Sequence, residues 1–541
     1  VLQHLKKTFK HTVLYGIGQV AAKAVGFLLI PVYTRYLSPS DFGIVALVMI
    51  YFTILEIILR LGVDSAMFRV YFNEPDEDRR SSLVNTAFLF QFLSSVGLFA
   101  VIYPLSGPIS ELFFGSRDYL VFFQFATAGQ ALIMIRTVPR AILRAQEKPI
   151  PFTIVNLGYF VLFMAFNILF VVGMEEGALG IIKARFWGGV VMTPVMLFIY
   201  FRNMRPRFNW SQLKQVMTFG LPLIPEGLAS WILSLADRFI LRIAAPINRI
   251  VETVQYGAGE LSAKSGVVLA GALAALHEVG IYDLANKFSL IVKMGLVSPF
   301  IIAWGPLMFS VYHKPEAKQV YRSVLTLYTL IATGAALAVG VMAPDILKLM
   351  ATWPFYEAWR AVFILSLSHV FYGVYLVFTV GTSVVGKTKY QAYSAMIGAA
   401  LNIILNLLLI PRWGMMGASV ATLTSYAAMA FIHFAFAQRL YRIDYDLLFV
   451  GKVVLLSFGV WIASTFLPFG WVGFPLRLLL LGVFVLLLKL TGSLNVADVR
   501  LVLDEIKSRF SGRKGRGGGV SAEAAAEGVE LEDELIEDEA G

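Results

Sequence analysis

Cysteine is absent from this 541-residue chain, which excludes disulfides, thiolate metal sites and iron–sulfur clusters. A cleavable leader also goes unmarked. The basic stretch His4–His11, with Lys6, Lys7 and Lys10, is followed by an apolar segment without a small-residue cleavage site, so an uncleaved first span is expected instead of a signal peptide. Charge is sparse as well, 15% of residues against 58% hydrophobic, at a mean hydropathy of +0.73. A soluble protein is not built this way: apolar runs repeatedly reach the roughly 20 residues that cross about 30 Å of hydrocarbon. The chain reads as an all-α integral membrane protein.

Fourteen spans are expected, near 12–37, 41–69, 82–105, 118–143, 150–173, 178–201, 218–243, 279–311, 321–343, 358–384, 389–410, 415–438, 448–467 and 473–490. Loop charge tests that number. One set of alternate loops carries Arg79, Arg80, Arg144, Lys148, Arg202, Arg205, Arg207, Lys214, Lys314, Lys318, Arg322, Lys387, Lys389, Arg439 and Arg442, while the opposite set has mainly Arg117, Arg249, Lys264, Lys348 and Arg412. The positive-inside bias puts the first set, and both termini, in the cytoplasm, as expected for an inner-membrane protein with an even number of spans. Formal net charge is +10, yet residues 522–541 hold nine acids and no base. The basic loops read as anchors to the anionic leaflet, not as a nucleic-acid site. The Gly-rich stretch Ser511–Gly519 and the acidic run after it read as a linker and a solvated appendage.

One part of the chain is written twice. Lys148, Asn167, Gly177-x-x-Gly180 and Ala184 recur as Lys387, Asn406, Gly414-x-x-Gly417 and Ala421. Phe68-x-Val70-Tyr71 recurs as Phe309-x-Val311-Tyr312, Pro75 as Pro315, and Asp41-Phe42-Gly43-Ile44 as Glu278-Val279-Gly280-Ile281, all at offsets of 237 to 241 residues. Two homologous helical lobes follow, with a substrate path between them.

Twelve charges fall inside expected spans: Lys23, Glu56, Arg60, Arg136, Arg140, Lys183, Arg185, Asp237, Arg238, Asp283, Lys287 and Lys293. Facing lipid, a dozen charges would cost on the order of 30 kcal/mol, so most must face a polar interior or snorkel. Glu56, Arg60 and Asp64 are spaced for one helix face, as are Arg136, Arg140 and Arg144, Arg238 with Arg242, and Asp283 with Lys287. Arg60, Arg136 and Arg140 fall in the cytoplasmic half, Lys23 and Lys293 near the middle, and Lys183, Arg185, Arg238 and Lys287 in the outer half. These nine cations form a candidate ladder for an anionic cargo, phosphate or diphosphate, which Arg and Lys bind through charge-assisted hydrogen bonds. The competing reading is internal pairing, Glu56 with Arg60 and Asp283 with Lys287. Carboxylates Glu56, Asp64, Glu226, Asp237 and Asp283 are candidates for a coupling ion, although Glu226 reads equally well as a cap after Pro225. Pro31, Pro139, Pro222, Pro225, Pro299 and Pro306 lie where they can kink helices.

The stretch Gly26–Ile44, the run Ala236-Asp237-Arg238-Phe239, the run Glu278-Val279-Gly280-Ile281-Tyr282 and Gly386-Lys387-Thr388-Lys389 together resemble polysaccharide and O-antigen flippases of the multidrug/oligosaccharidyl-lipid/polysaccharide exporter superfamily. The resemblance covers roughly residues 10–490. It implies two six-helix lobes (12–205 and 206–440) around a central cavity, two further helices (441–490) and a cytoplasmic tail (491–541). It also implies alternating access carrying a polyprenyl-diphosphate-linked oligosaccharide to the outer leaflet. Cofactors are not expected beyond H+ or Na+ as coupling ion. Expected partners are the lipid-linked oligosaccharide, membrane lipids, and polymerase and glycosyltransferases of the same pathway; nucleic acid is not among them. The chain departs from the pattern at Pro246–His277, about thirty extra residues with an apolar run, Gly266–Leu276, too short to span, expected as an external loop, with an interfacial or re-entrant segment as the alternative.

Three alternatives remain at this level. A multidrug exporter of the superfamily would have twelve spans and a less cationic cavity. A peptidoglycan-precursor flippase shares the cationic cavity, but its distinguishing motifs are not evident. A membrane glycosyltransferase would use Asp76-x-Asp78 or Asp444-x-Asp446 as a metal site, yet neither lies near a nucleotide-binding domain.

Overall fold

The computed structural model describes residues 27–492, apart from 28, 147, 202–206, 222–223, 245–262, 469 and 471. Every regular element among the described residues is helical. In the N-terminal half these are α1 (Ile30–Tyr36), α2 (Pro39–Arg60), α3 (Val63–Asn73), α4 (Glu77–Ile102), α5 (Ser106–Phe114), α6 (Leu120–Ile135), α7 (Thr137–Ala145), α8 (Pro149–Asn167), α9 (Gly177–Phe201) and α10 (Trp210–Gly220). The C-terminal half contributes α11 (Ile224–Ala244), α12 (Ala263–Val292), α13 (Ser298–Val311), α14 (Ala317–Met350), α15 (Trp359–Phe378), α16 (Val380–Ser383), α17 (Lys389–Trp413), α18 (Met415–Leu440), α19 (Leu447–Thr465) and α20 (Gly473–Leu490). Twelve helical stretches among the described residues are long and apolar enough to cross a membrane, and the chain is a multi-pass membrane protein. The expected number was fourteen. Most of the first expected span lies outside the described residues, and the seventh forms α11, a 21-residue helix carrying Glu226, Asp237, Arg238 and Arg242, too charged to qualify on apolarity.

Two further expectations need correction. The stretch read as 41–69 is broken after Arg60, because Leu61 and Gly62 adopt φ of 46° and 66° and the chain turns against the backbone of Gly220. Glu56 and Arg60 therefore share α2, but Asp64 starts a different helix and is not on their stripe. The run Gly266–Leu276, expected in an external loop, is helical and continues into the eighth span as α12. Its apolarity is that of a helix extended beyond the membrane-spanning part.

Local chemistry explains several boundaries. Ser38 and Asp41 form a reciprocal capping box at the start of α2, with Pro39 in its first turn. Pro139 has no N–H to offer the Ile135 carbonyl, so the helix is interrupted between α6 and α7, where Arg136 N–H bonds Ile133 O at 3.2 Å. The duplicated hairpins differ by two residues, Asn167 to Gly177 against Asn406 to Gly414. The longer copy contains a π-helical segment, Ile168–Gly173, which accommodates residues that a continuous α-helix would not.

Apolar packing divides the molecule into a closed end and a split end. At the closed end one core is shared by both halves, from Phe42, Leu47, Phe113 and Ile181 to Leu276, Tyr282, Phe355 and Met415. At the split end there are separate cores: one in the N-terminal lobe, around Met67, Leu83 and Val138, which also takes in Val216 of α10, and one in the C-terminal lobe, around Tyr321 and Phe378. Helices α2 and α12 make the seam at the closed end. A Cβ on Gly43 would overlap the Leu276 carbonyl, and one on Gly280 would overlap the Pro39 carbonyl, so the absent side chains permit this approach. The two halves thus share a core at one end and keep separate cores at the other.

Candidate functional site

The in-span charges fall into two groups with different balance. In the C-terminal lobe, α11 supplies Asp237 and Arg238, α12 supplies Tyr282, Asp283 and Lys287, and α18 supplies Thr422. Arg238 Nε donates to Asp283 Oδ1 at 2.9 Å, and its Nη1 donates to Ser234 O at 2.9 Å and Asp237 Oδ1 at 3.3 Å. Asp237 Oδ2 accepts from the Tyr282 hydroxyl and, at 3.4 Å, from Thr422. Lys287 Nζ completes the group 3.0 Å from Asp283 Oδ2. Two cations face two carboxylates, and Arg238 is only 3% exposed at its side chain. Burial of such a set is tolerable because every charge has an opposite and the carboxylates are further hydrogen-bonded.

The N-terminal lobe is not balanced in this way. Helices α2, α6 and α9 pack against one another and bring Arg60, Arg136 and Arg185 into one lobe. Arg60 lies 3.6 Å from Glu56, with both side chains near 40% exposed, an arrangement worth under about 1 kcal/mol. Arg185 stacks 4.3 Å over the Phe52 ring and reaches Met49 Sδ at 3.5 Å; its Nε has no hydrogen-bond partner among the described residues. Arg136 is buried, donates from Nε to Leu132 O at 3.2 Å and stacks 4.5 Å over Tyr159. Its Nη2 lies against α9 at Gly189, where an added Cβ would be 3.8 Å away. Gly189 is one helical turn from Arg185 on α9, so the two guanidiniums are held at neighbouring turns of one helix. Neither has a carboxylate partner among the described residues. A desolvated cation over an aromatic face is worth about 2 kcal/mol, which holds each in place without cancelling its charge.

The remaining candidates are dispersed. Lys183 pairs with Glu176 at 2.6 Å and lies 5.7 Å from the Phe125 ring. Lys293 opens the π-helical segment Lys293–Val297, 6.0 Å from the Tyr372 ring. Arg140 is half-buried on α7. Asp64 and Glu226 lie on α3 and α11, with side chains outside the described residues, as Lys23 is altogether. Internal pairing therefore accounts for Arg238, Lys287, Lys183 and Arg60, while Arg136 and Arg185 stand as a positive pair. Sequence reasoning missed the stacking partners Phe42, Phe52, Tyr159 and Tyr372. In a chain with 14% aromatics nothing in the letters distinguishes a ring beneath a cation from a ring in the core.

The acidic pairs considered as a metal site make local structural contacts. Asp76 caps α4, Asp444 pairs with Arg442 at 3.5 Å, and Asp446 caps α19 and lies 3.8 Å from Arg322. No cluster of three or more His, Asp or Glu side chains suited to a metal occurs among the described residues.

Comparison with known proteins agrees with this architecture. Residues 8–312 match the family model described as Polysaccharide biosynthesis protein. No curated protein matches the sequence. Among solved structures, the chain is similar to "Lipid II flippase MurJ, inward closed conformation", at 13% identity and TM-score 0.63, covering 88% of this chain and 98% of that one. It is also similar to an inward-facing multidrug resistance MATE transporter of the MOP superfamily (14% identity, TM-score 0.55, 78% and 97% covered). A third likeness is to a MOP superfamily transporter from Pyrococcus furiosus (14% identity, TM-score 0.51, 80% and 95% covered). At these identities the likeness is one of fold. With residues 8–312 matching its model, the chain belongs to the family described as Polysaccharide biosynthesis protein, and its fold is similar to that of the flippase and transporters above.

Proposed function

We propose that the protein translocates a polyprenyl-diphosphate-linked oligosaccharide, a repeat unit of a surface polysaccharide, from the cytoplasmic to the outer leaflet of the inner membrane by alternating access. The observation that carries this reading is the pair Arg136 and Arg185, two guanidiniums held on aromatic faces without a carboxylate among the described residues. Fixed positive charge in a low-dielectric lobe favours an anion, and guanidiniums match phosphate oxygens bidentately. A cationic drug would be repelled by the same pair. The split end carries Arg79, Arg80, Lys148, Lys314, Lys387 and Arg439 in its loops and helix ends, and the positive-inside rule turns that end, with both termini, to the cytoplasm. The end at which the lobes have separate cores then faces the side on which lipid-linked sugars are made. Work against a gradient is supplied by H+ or Na+, with Asp237 and Asp283 as the carboxylates available inside the C-terminal lobe.

Reconstitution into liposomes tests this reading. The expected result is flipping of a fluorescent polyprenyl-diphosphate oligosaccharide, with cationic dyes neither transported nor competing. Dye efflux without glycan flipping would favour a multidrug exporter, and flipping restricted to a peptidoglycan precursor would favour that pathway.

A further inference from the structure

Lys287 lies on the seam between the lobes. Two turns earlier on α12, Gly280 lies against the backbone of Pro39 and Gly43; one turn later Ile291 is exposed. Lys287 also touches the other lobe: besides its contact to Asp283 at 3.0 Å, its ammonium lies 4.6 Å over the ring of Phe42 on α2. We propose that Lys287 is a cargo-responsive latch: seated on Phe42 it holds the closed end shut, and a diphosphate bound between the lobes draws it away and releases the seam.

Three features single out this residue. First, Lys287 can leave. Its side chain is 34% exposed, and Asp283 keeps Arg238 Nε at 2.9 Å when Lys287 departs, so no buried carboxylate is stranded. Arg238 lacks that freedom because it is tied to Asp237, Ser234 and Asp283 together. Second, the ring cannot follow. Phe42 is fixed edge-on between Tyr33, at 6.3 Å, and Phe355, at 4.8 Å, across the two lobes. Third, a lysine is a mobile point charge on a flexible stem, suited to exchanging a shared carboxylate for a diphosphate with more charge. A ligand shifts a conformational equilibrium only through differential affinity. Here the closed seam occupies the ammonium and the open seam frees it, so the diphosphate binds the open form more tightly.

The inference rests on the proposed cargo, and its test separates the two. The natural lack of cysteine allows a spin-label pair, Asp118→Cys and Trp353→Cys, on exposed positions at the closed end, read by double electron–electron resonance in liposomes. Without ligand, Lys287→Met and Phe42→Leu should each raise the long-distance population about tenfold, and the double substitution should do no more than either alone. Lys287→Arg should stay closed. Inorganic pyrophosphate should open the wild type and leave Lys287→Met unchanged. A ligand-free Lys287→Met distribution equal to wild type, or additive effects of the two substitutions, would overturn the latch. A wild type unmoved by pyrophosphate would overturn its response to cargo. If glycan flipping fails while the ligand-free shifts persist, the transport reading falls and the latch contact stands.

Discussion

Glu278 accepts a hydrogen bond from the backbone N–H of Met415 at 2.8 Å, and its counterpart Asp41 lies beside Gly177, the first residue of α9. In both lobes the acid of the acid-x-Gly-Ile turn meets the glycine that precedes or opens the Gly-x-x-Gly helix. The second glycines repeat as well: Gly180 packs on the Phe170 carbonyl and Gly417 on the Leu409 carbonyl, at positions sharing the 239-residue offset of Asn167 and Asn406. The duplication thus preserves contacts as well as letters.

Removing the cap at Glu278 should destabilise α18. Gly414 has φ 54°, and a Cβ there would overlap the Glu278 carboxylate, so the chain is shaped around this acceptor. Glu278→Ala should cost about 0.5–2 kcal/mol, with a lower melting temperature in detergent, and Glu278→Gln, which keeps an acceptor, should lose less. Equal melting of all three proteins would contradict the capping role.

The seam should not tolerate a methyl group. Gly280→Ala places a Cβ on the Pro39 carbonyl, with Gly43 N 2.9 Å away, and overpacking of this kind costs about 1–3 kcal/mol. Because the strain exists only while the lobes touch at the closed end, the substitution should favour the conformation open at that end. Faster labelling there by a membrane-impermeant thiol reagent, using Ser40→Cys as the site, checks this; an unchanged rate contradicts it.

The two C-terminal helices are fastened by a buried ion pair. Arg477 on α20 is 2.8 Å from Asp345 on α14 and donates to Leu467 O, while Asp345 accepts from Gly470 N–H at 3.1 Å. Asp345→Ala should destabilise the protein by about 3–5 kcal/mol, whereas Asp345→Leu combined with Arg477→Met should recover most of the loss. Thermal unfolding of the three proteins decides, and a double variant as unstable as Asp345→Ala would oppose the account.

The sequence displayed the scaffold better than the site. Asp41, Gly43, Glu278, Gly280 and the two Gly-x-x-Gly runs were legible because close backbone approach demands glycine and a helix start demands an acceptor, and both demands leave a spaced pattern. The break at Leu61 and Gly62 was hidden, since a left-handed turn inside an apolar run leaves the hydropathy unchanged. The helical nature of residues 263–277 was hidden too, because a helix extending beyond a span has neither the length nor the charge of a separate one. Pairing could be read where it is local, as for Asp283 with Lys287. It could not be read for Arg238 with Asp283, 45 residues apart, nor could the rings beneath Arg136 and Arg185 be chosen from among so many aromatics.

Arg136 and Arg185 are the residues whose loss should stop transport. Measured as the initial rate of flipping of a fluorescent polyprenyl-diphosphate oligosaccharide in liposomes, Arg136→Gln and Arg185→Gln should each fall about tenfold or more, as loss of a charge-assisted phosphate contact implies. Arg185→Lys should retain part of the rate, and all variants should keep the wild-type melting temperature within a few degrees. Flipping at the wild-type rate by the double variant Arg136→Gln with Arg185→Gln would contradict the claim that these two guanidiniums hold the anionic cargo.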